Sequence, residues 1–500
     1  MVTGHSYRCH AIRVCCTGLL LFAGMAGCAG TLPADLAEPA FEMPAQFSLA
    51  GDVPLQAQWW QAFQDPALSA LITDALTRNF SLQSAYARVE QARASVASQR
   101  AALFPSLSAG LEQSATRQDQ DNAFRSSAGG TTITANNDNS SWSQTRTFQF
   151  TAAYEIDLWG RLRNSRNAAG FDAQASASAW QAAAMTLAAD ISANWYQLQE
   201  LRARIALLLS QIETNEDVLE LTTFAFNNGL AVAADVLRQR QTVAATHSQM
   251  EQTRASAAVM RHALAVLVGQ APENFAAPQG RLVDLPALPE TGVPARLLMR
   301  RPDVRQQYFA LAAADRRVAV ALAERYPQLS LSAGAFTTTD AASLFSQWIV
   351  NLAANLTQPL FDGGARAAEV NRSEAVVAET LAVYQQSMLE ALREVEDALV
   401  NEYHQKRFLV GIDEQLVLSA QALENLRLRY LRGATDYLDV LNALLTRQQL
   451  QVDRLAGQRA LLGFRINLYR ALAGGLEVPT DGDPDESPQA AADHGNAESS

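Results

Sequence analysis

From Asp65 onward the apolar residues fall at two spacings that take turns along the chain. Leu68, Leu71, Ile72, Ala75 and Leu76 follow Asp65-Pro66 at helical spacing. Asp65 suits the N-cap and Pro66 the first helical position, so a helix is predicted from there to Pro105. Directly after that proline the period drops to two. Leu107, Ala109 and Leu111 alternate with polar neighbours, and so do Phe148, Phe150, Ala152, Tyr154, Ile156 and Leu158. The succession then recurs. Arg301-Pro302-Asp303 opens a helix that ends at Pro327, after which Leu329, Leu331, Ala333 and Ala335 alternate, followed by Trp348, Val350, Leu352, Ala354 and Leu356. Four strands in two hairpins are predicted. Between the first two, the Gly/Asn/Ser/Thr-rich stretch 114–143 reads as a flexible surface loop.

Helical pattern then dominates. Neither glycine nor proline occurs from Phe171 to Asn228 or from Ala365 to Val410, and a helix of ~60 residues spans roughly 90 Å. Return helices are predicted from about Asp235 to Val268 and from about Asp439 to Leu472. The turns between them repeat one motif, aromatic-x-x-Gly-x5-Asp-Val-Leu, which runs from Phe226 through Gly229 and Asp235 to Leu237 and again from Tyr430 through Gly433 and Asp439 to Leu441. The chain therefore reads as a tandem duplication. Its expected divisions are a leader at 1–27, a tether at 28–62 and a first repeat at 63–271 with its hairpin at 106–158. A proline-marked linker follows at 272–299, then a second repeat at 300–474 with its hairpin at 328–361, and an acidic tail at 475–500 that is expected to be disordered.

Composition and charge narrow the function. A net charge of −12 argues against nucleic acid, because phosphate binding needs a basic surface. All four cysteines precede position 29. Arg8 and Arg13, the apolar run Leu19–Phe22 and Met25-Ala26-Gly27-Cys28 resemble a lipoprotein signal cleaved ahead of Cys28, although an ordinary secretory leader fits the same features. A lipidated Cys28 would anchor the mature chain to a membrane, and Ala29 favours outer membrane sorting. Beyond the leader no run of eighteen or more apolar residues occurs, so the alternating strands are the candidates for crossing lipid. Lipid admits only closed barrels, and known barrels need about eight strands or more. Four strands must then be completed by copies of the same chain. Trp142, Phe148, Tyr154, Trp159 and Trp348 read as interfacial and lipid-facing aromatics. A soluble four-stranded sheet capping a helical domain is the other reading of the pattern.

Five blocks carry a family resemblance. They are Trp59-Trp60 with Asp65-Pro66-Ala67-Leu68, Asp157-Leu158-Trp159-Gly160-Arg161, Arg300-Arg301-Pro302-Asp303-Val304, Gln358-Pro359-Leu360-Phe361-Asp362-Gly363-Gly364, and Tyr437-Leu438-Asp439-Val440-Leu441. In this order they resemble the TolC-like outer membrane factors, specifically the lipoprotein branch serving resistance-nodulation-division (RND) efflux pumps. The resemblance implies a mainly α fold with membrane β: a homotrimer whose twelve-stranded outer membrane barrel continues as a long periplasmic α-helical barrel. It also implies a passive exit duct for drugs or other small toxic compounds, delivered by an inner membrane RND transporter through a periplasmic adaptor.

The same resemblance singles out site residues. Asp439 is expected near the axis of the narrow periplasmic end, where three carboxylates repel one another and favour cations. Leu438 resembles an apolar constriction there. Asn442 stands where many relatives carry a second acidic residue. Tyr430 and Asp235 match positions that hold a closed tip. Thr435 occupies the place of a partnering arginine, for which Arg432 or Arg238 are the candidates. The turns at Gly229 and Gly433 are expected to dock the adaptor. More locally, Asp439 also suits a helix N-terminus, and both glycines suit left-handed backbone.

Nothing in the sequence points to catalysis, a cofactor or a metal. His247, His262 and His404 lack ligand spacing, and there is no phosphate loop or G-x-S-x-G elbow. Two other functions share parts of this pattern. One is an outer membrane duct for type I protein secretion or metal efflux; the other is a non-conducting periplasmic tether.

Overall fold

The computed structural model describes residues 41–128, 131–339 and 347–472. The leader, Cys28 and the tail from 473 lie outside them. The elements run α1 (Pro66–Arg78), α2 (Phe80–Ala101), β1 (Ser106–Ala128), β2 (Thr131–Ile156), α3 (Arg161–Asn227), α4 (Ala233–Val268), α5 (Pro294–Arg300), α6 (Pro302–Ala323), β3 (Gln328–Thr339), β4 (Ile349–Thr357), α7 (Ala365–Leu431) and α8 (Tyr437–Leu472). Two compact units result. One holds Ala94–Phe171 and Leu311–Leu381; the other holds the described parts of Pro39–Arg93, Asp172–Ala310 and Ala382–Ser500.

The first unit is built on an antiparallel sheet in the order β1-β2-β3-β4. Its register sorts the residues by chemistry. Leu107, Ala152, Ala333 and Leu352 stand in one row across all four strands, and Ala109, Phe150, Ala335 and Val350 in the next row of the same face. The intervening row, on the opposite face, is Ser108, Thr151, Gly334 and Asn351. A soluble sheet would bury the apolar face against a helix or a second sheet. Here Leu107 and Val350 are each 75% exposed and Leu352 84%, so this chain alone leaves the face uncovered. Aromatic clusters mark both ends of the β2–β4 sheet. Phe150 stacks on Trp348 at 6.4 Å with Phe148 edge-on at 5.0 Å to Phe150. At the other end Trp159 stacks on Tyr326 at 4.8 Å and donates from Nε1 to the Pro327 carbonyl at 2.7 Å.

Two expectations need correction. The stretch 114–143 does not open into a loop, since β1 and β2 remain paired from Ser114↔Thr145 to Ala128↔Thr131. Backbone pairing needs no alternation of apolar residues, so the polar composition of this stretch disguised it. The Gly129-Gly130 dipeptide, a hairpin signal, lay inside it. Likewise the helix from Pro66 is two helices. Asn79 leaves helical backbone at ψ 121°, its Oδ1 accepts from the Leu82 N–H at 3.0 Å and its Nδ2 donates to the Leu267 carbonyl at 2.8 Å. A side chain that caps the next helix and holds a neighbouring one outweighs continuity.

The second unit has its core where the expected tether begins to fold. Trp59, Trp60 and Phe63, from a short 3₁₀ turn, are buried, with Trp59 stacked on Tyr469 at 5.5 Å and Phe63 against Tyr196 at 5.6 Å. Asp65 does what its sequence position predicted and more. Oδ1 accepts from the Ala67 and Leu68 N–H groups at 3.1 Å, and Oδ2 from Trp195 Nε1 at 2.7 Å. Arg465 is fully buried. It donates to Glu402 at 2.8 and 2.7 Å and to the carbonyls of Pro286 and Ala287, so the linker between the repeats is tied to α7 and α8. Burial alone works against the Glu402 charge, but hydrogen bonds from Arg465 and Lys406 outweigh it and hold this carboxyl below its ordinary value. Arg301 repeats the device, donating to Asp303, to Glu394 and to the Ala471 carbonyl.

Candidate aperture at the hairpin turns

The two long hairpins match in length: α3 and α7 have 67 residues each, α4 and α8 36 each. Their turns close in the same way. After α3 the Leu230 N–H donates to Ala225 at 2.8 Å and the Gly229 N–H to Phe226 at 3.0 Å; after α7 Ala434 donates to Arg429 and Gly433 to Tyr430, both at 2.9 Å. This is a Schellman motif, which requires left-handed backbone at the residue after the cap. Gly229 and Gly433 supply it with φ of 73° and 70°. A side chain at either position would meet open space, so backbone conformation, not packing, selects glycine.

Asp235 and Asp439 follow at equal distance in the first turns of α4 and α8, where a negative charge complements the helix dipole. From here the copies diverge. Asp235 is largely buried and paired with Arg238 at 3.3 Å. Its charge lies near Tyr430 and Tyr437, whose rings meet edge-on at 6.0 Å. Burial pushes the Tyr437 hydroxyl up to about 12, with Asp235 acting the same way and a hydrogen bond with Thr222 opposing it. Burial and Asp235 raise Tyr430 as well. Both phenols therefore stay neutral.

Asp439 is exposed, and its carboxylate accepts from Thr435 Oγ1 at 2.5 Å. Leu438, 45% exposed, and Asn442 share its side of α8. Of the expected set, then, Tyr430 and Asp235 come together, while Asp439, Leu438 and Asn442 form one exposed strip. Arg238 is the partner of Asp235. Arg432 is exposed and its side chain makes no hydrogen bond or ion pair among the described residues.

Above the turns lies a layer that sequence reading missed. Tyr437 donates to Gln239 Oε1 at 2.5 Å, Gln239 Nε2 donates to the Asn215 carbonyl at 2.6 Å, and Asn215 Nδ2 donates to Thr246 at 3.1 Å. Gln448 Nε2 donates to Asn215 Oδ1 at 2.9 Å, and Gln211 Nε2 to Gln451 Oε1 at 3.1 Å. Asn215 and Gln239 are fully buried. The layer joins α3 and α4 of the first hairpin to α8 of the second, the helix that carries Asp439. In a chain rich in glutamine, no local spacing distinguishes these residues from surface ones. Among the described residues no group of His, Cys, Asp or Glu is arranged to hold a metal, and no helix is long and apolar enough to cross a membrane.

Comparison with known proteins places this architecture. The profile of the outer membrane efflux protein family matches residues 71–270 and 293–474. The pyoverdine export outer membrane protein OpmQ of Pseudomonas aeruginosa is 31% identical over 91% of this chain and 96% of its own length. The cation efflux system protein CusC of Escherichia coli is 27% identical over 91% of this chain and 97% of its own. Among solved structures, the outer-membrane channel OprN superposes with a TM-score of 0.77 at 26% identity, covering 88% of this chain and 99% of that one. The chain belongs to the outer membrane efflux protein family. It is a channel component for efflux, located in the outer membrane and reaching into the periplasm.

Proposed function

We propose that three copies of this chain form the exit duct of a tripartite RND-type efflux pump. The observation that carries this reading is the sheet: one apolar face left exposed, one polar face, and unpaired edges at β1 and β4. Three such sheets joined edge to edge make twelve strands, enough to close a barrel with its apolar face in lipid and its polar face on water. The aromatic clusters at Phe148/Phe150/Trp348 and Trp159/Tyr326 then sit at the two membrane interfaces. The paired long helices continue the duct as an α-helical barrel, with the repeats at 63–271 and 300–474 contributing equivalent walls. A lipid chain on Cys28 adds a second attachment to the outer membrane. A periplasmic adaptor docks on the turns at Gly229 and Gly433, and the inner membrane transporter supplies the energy.

In this arrangement Asp439 from each copy approaches the axis, with Leu438 and Asn442 beside it, and the ring selects for cations. Asp235 and Tyr430 hold the tip closed. The test is direct. Protein extracted in detergent is expected to be trimeric and to conduct ions across a planar bilayer; a monomer without conductance overturns the proposal. Substitution of Gly433 by Trp is expected to abolish efflux while the trimer still forms.

Metal ions as cargo are the second reading, favoured by the likeness to the cation efflux protein CusC. Deletion of the gene followed by a drug and metal susceptibility panel separates the two.

A further inference from the structure

A cavity of about 420 Å³ between helices and a larger polar groove both lie along the hairpins, but a third, of about 330 Å³, has a feature the others lack. Its wall includes Leu472, the last described residue of α8, beside Leu55, Val293 and Leu297. Arg301 fixes that helix end by donating to the Ala471 carbonyl at 3.3 Å. The last described turn of α8 therefore ends at the cavity wall. Arg296 and Arg300 line it too, four residues apart on one face of α5. Both are exposed, and neither side chain has a hydrogen bond or ion pair among the described residues. Glu290 is the one acidic residue in the lining, leaving an excess of positive charge.

The sequence that follows has the complementary composition. Leu476-Glu477-Val478-Pro479 is succeeded by Asp481, Asp483, Asp485 and Glu486, and no lysine or arginine occurs from 473 to 500. Residues 473–476 reach at most ~14 Å, enough to carry Leu476 and Val478 back over a cavity that begins at Leu472. We propose that this cationic groove beside α5 is a docking site for the chain's own C-terminal segment. Leu476 and Val478 fill the space between Leu55, Val293 and Leu297, and the carboxylates beyond Pro479 face Arg296 and Arg300. Each exposed ion pair is weak. A short tether, however, holds the segment at an effective concentration in the millimolar range, so weak contacts suffice. The segment has too few apolar residues to fold alone, and it orders against a surface that supplies what it lacks.

The test uses the full chain with Val293→Cys and Val478→Cys, the Val293→Cys variant alone giving the background. A disulfide within one chain is expected to form under mild oxidation. Arg296→Glu with Arg300→Glu is expected to slow it about fivefold, as two exposed pairs imply. Adding Asp481→Lys, Asp483→Lys and Asp485→Lys to the reversed protein is expected to restore the rate, which a misfolded protein would not do. A rate that ignores the charge reversal overturns the proposal, as does a disulfide that links two chains.

Discussion

The two hairpins have equal helix lengths and the same turn geometry, yet their surfaces carry different chemistry. In the first, Asp235 is held by Arg238 and lies near Tyr430 and Tyr437, and the turn exposes Phe224, Phe226, Leu230 and Val232. In the second, Asp439 is exposed with Thr435 as its hydrogen-bond donor, and Arg427, Arg429 and Arg432 precede it. Higher up the contrast reverses. Arg465 of α8 is buried on Glu402, whereas Arg261, at the same step of α4, is exposed and Leu198 stands where α7 has Glu402. Duplication preserved what the backbone requires, and side chains were free to diverge wherever turn geometry did not constrain them.

The largest expected break in this comparison is at the buried arginine. Arg465→Ala strands Glu402 and two carbonyls in the interior and is expected to cost about 3–5 kcal/mol, while Arg261→Ala stays within about 0.5 kcal/mol. Thermal melts followed by circular dichroism compare the two. The same pair gives a pH dependence. Because folding depresses the Glu402 value, its contribution is complete above the unfolded carboxyl value of about 4.3 and is lost as pH falls through the lower folded value. Glu402→Gln is expected to flatten that part of the melting profile.

Tyr437→Phe comes next. It leaves Gln239 Oε1 buried without its donor and is expected to cost about 1–3 kcal/mol. The first hairpin has Ala233 at this place, so no counterpart exists there to lose. Gly229→Ala and Gly433→Ala sharpen the comparison by their equality. Each forces a Cβ into left-handed backbone without a clash, at about 1–2 kcal/mol, and a difference between them beyond 0.5 or so on that scale would show that the turns are not equivalent. The smallest effect on stability is expected for Asp439→Ala, under about 1 kcal/mol for an exposed first-turn aspartate. In the proposed trimer its effect is expected on conduction instead, and unchanged cation preference in single-channel recordings would remove Asp439 from the proposed aperture.

Much of the fold was legible in advance. Both return helices were bounded to within two residues, at Ala233–Val268 and Tyr437–Leu472, and Asp65 capped the helix it was assigned to. The strands beyond Ser114 and the break at Asn79 were not legible. The first hid in polar composition, and the second depended on a partner at Leu267, far along the chain. The candidate site was legible in the same uneven way. Gly229, Gly433, Asp235 and Asp439 stand out by repetition, whereas Asn215, Gln239 and Gln448 are one asparagine and two glutamines among many.

Features that depend on near neighbours could thus be read directly: helices from apolar residues three and four apart, strands from residues two apart, and turns from a glycine that tolerates positive φ without strain. Packing in three dimensions put Arg465 in the interior, paired β2 with β3 across the long helices between them in sequence, and left the sheet's apolar face open. These are contacts between residues distant along the chain. No spacing rule encodes them, because the free energy of burying a charge or exposing a leucine is set by what surrounds it in space.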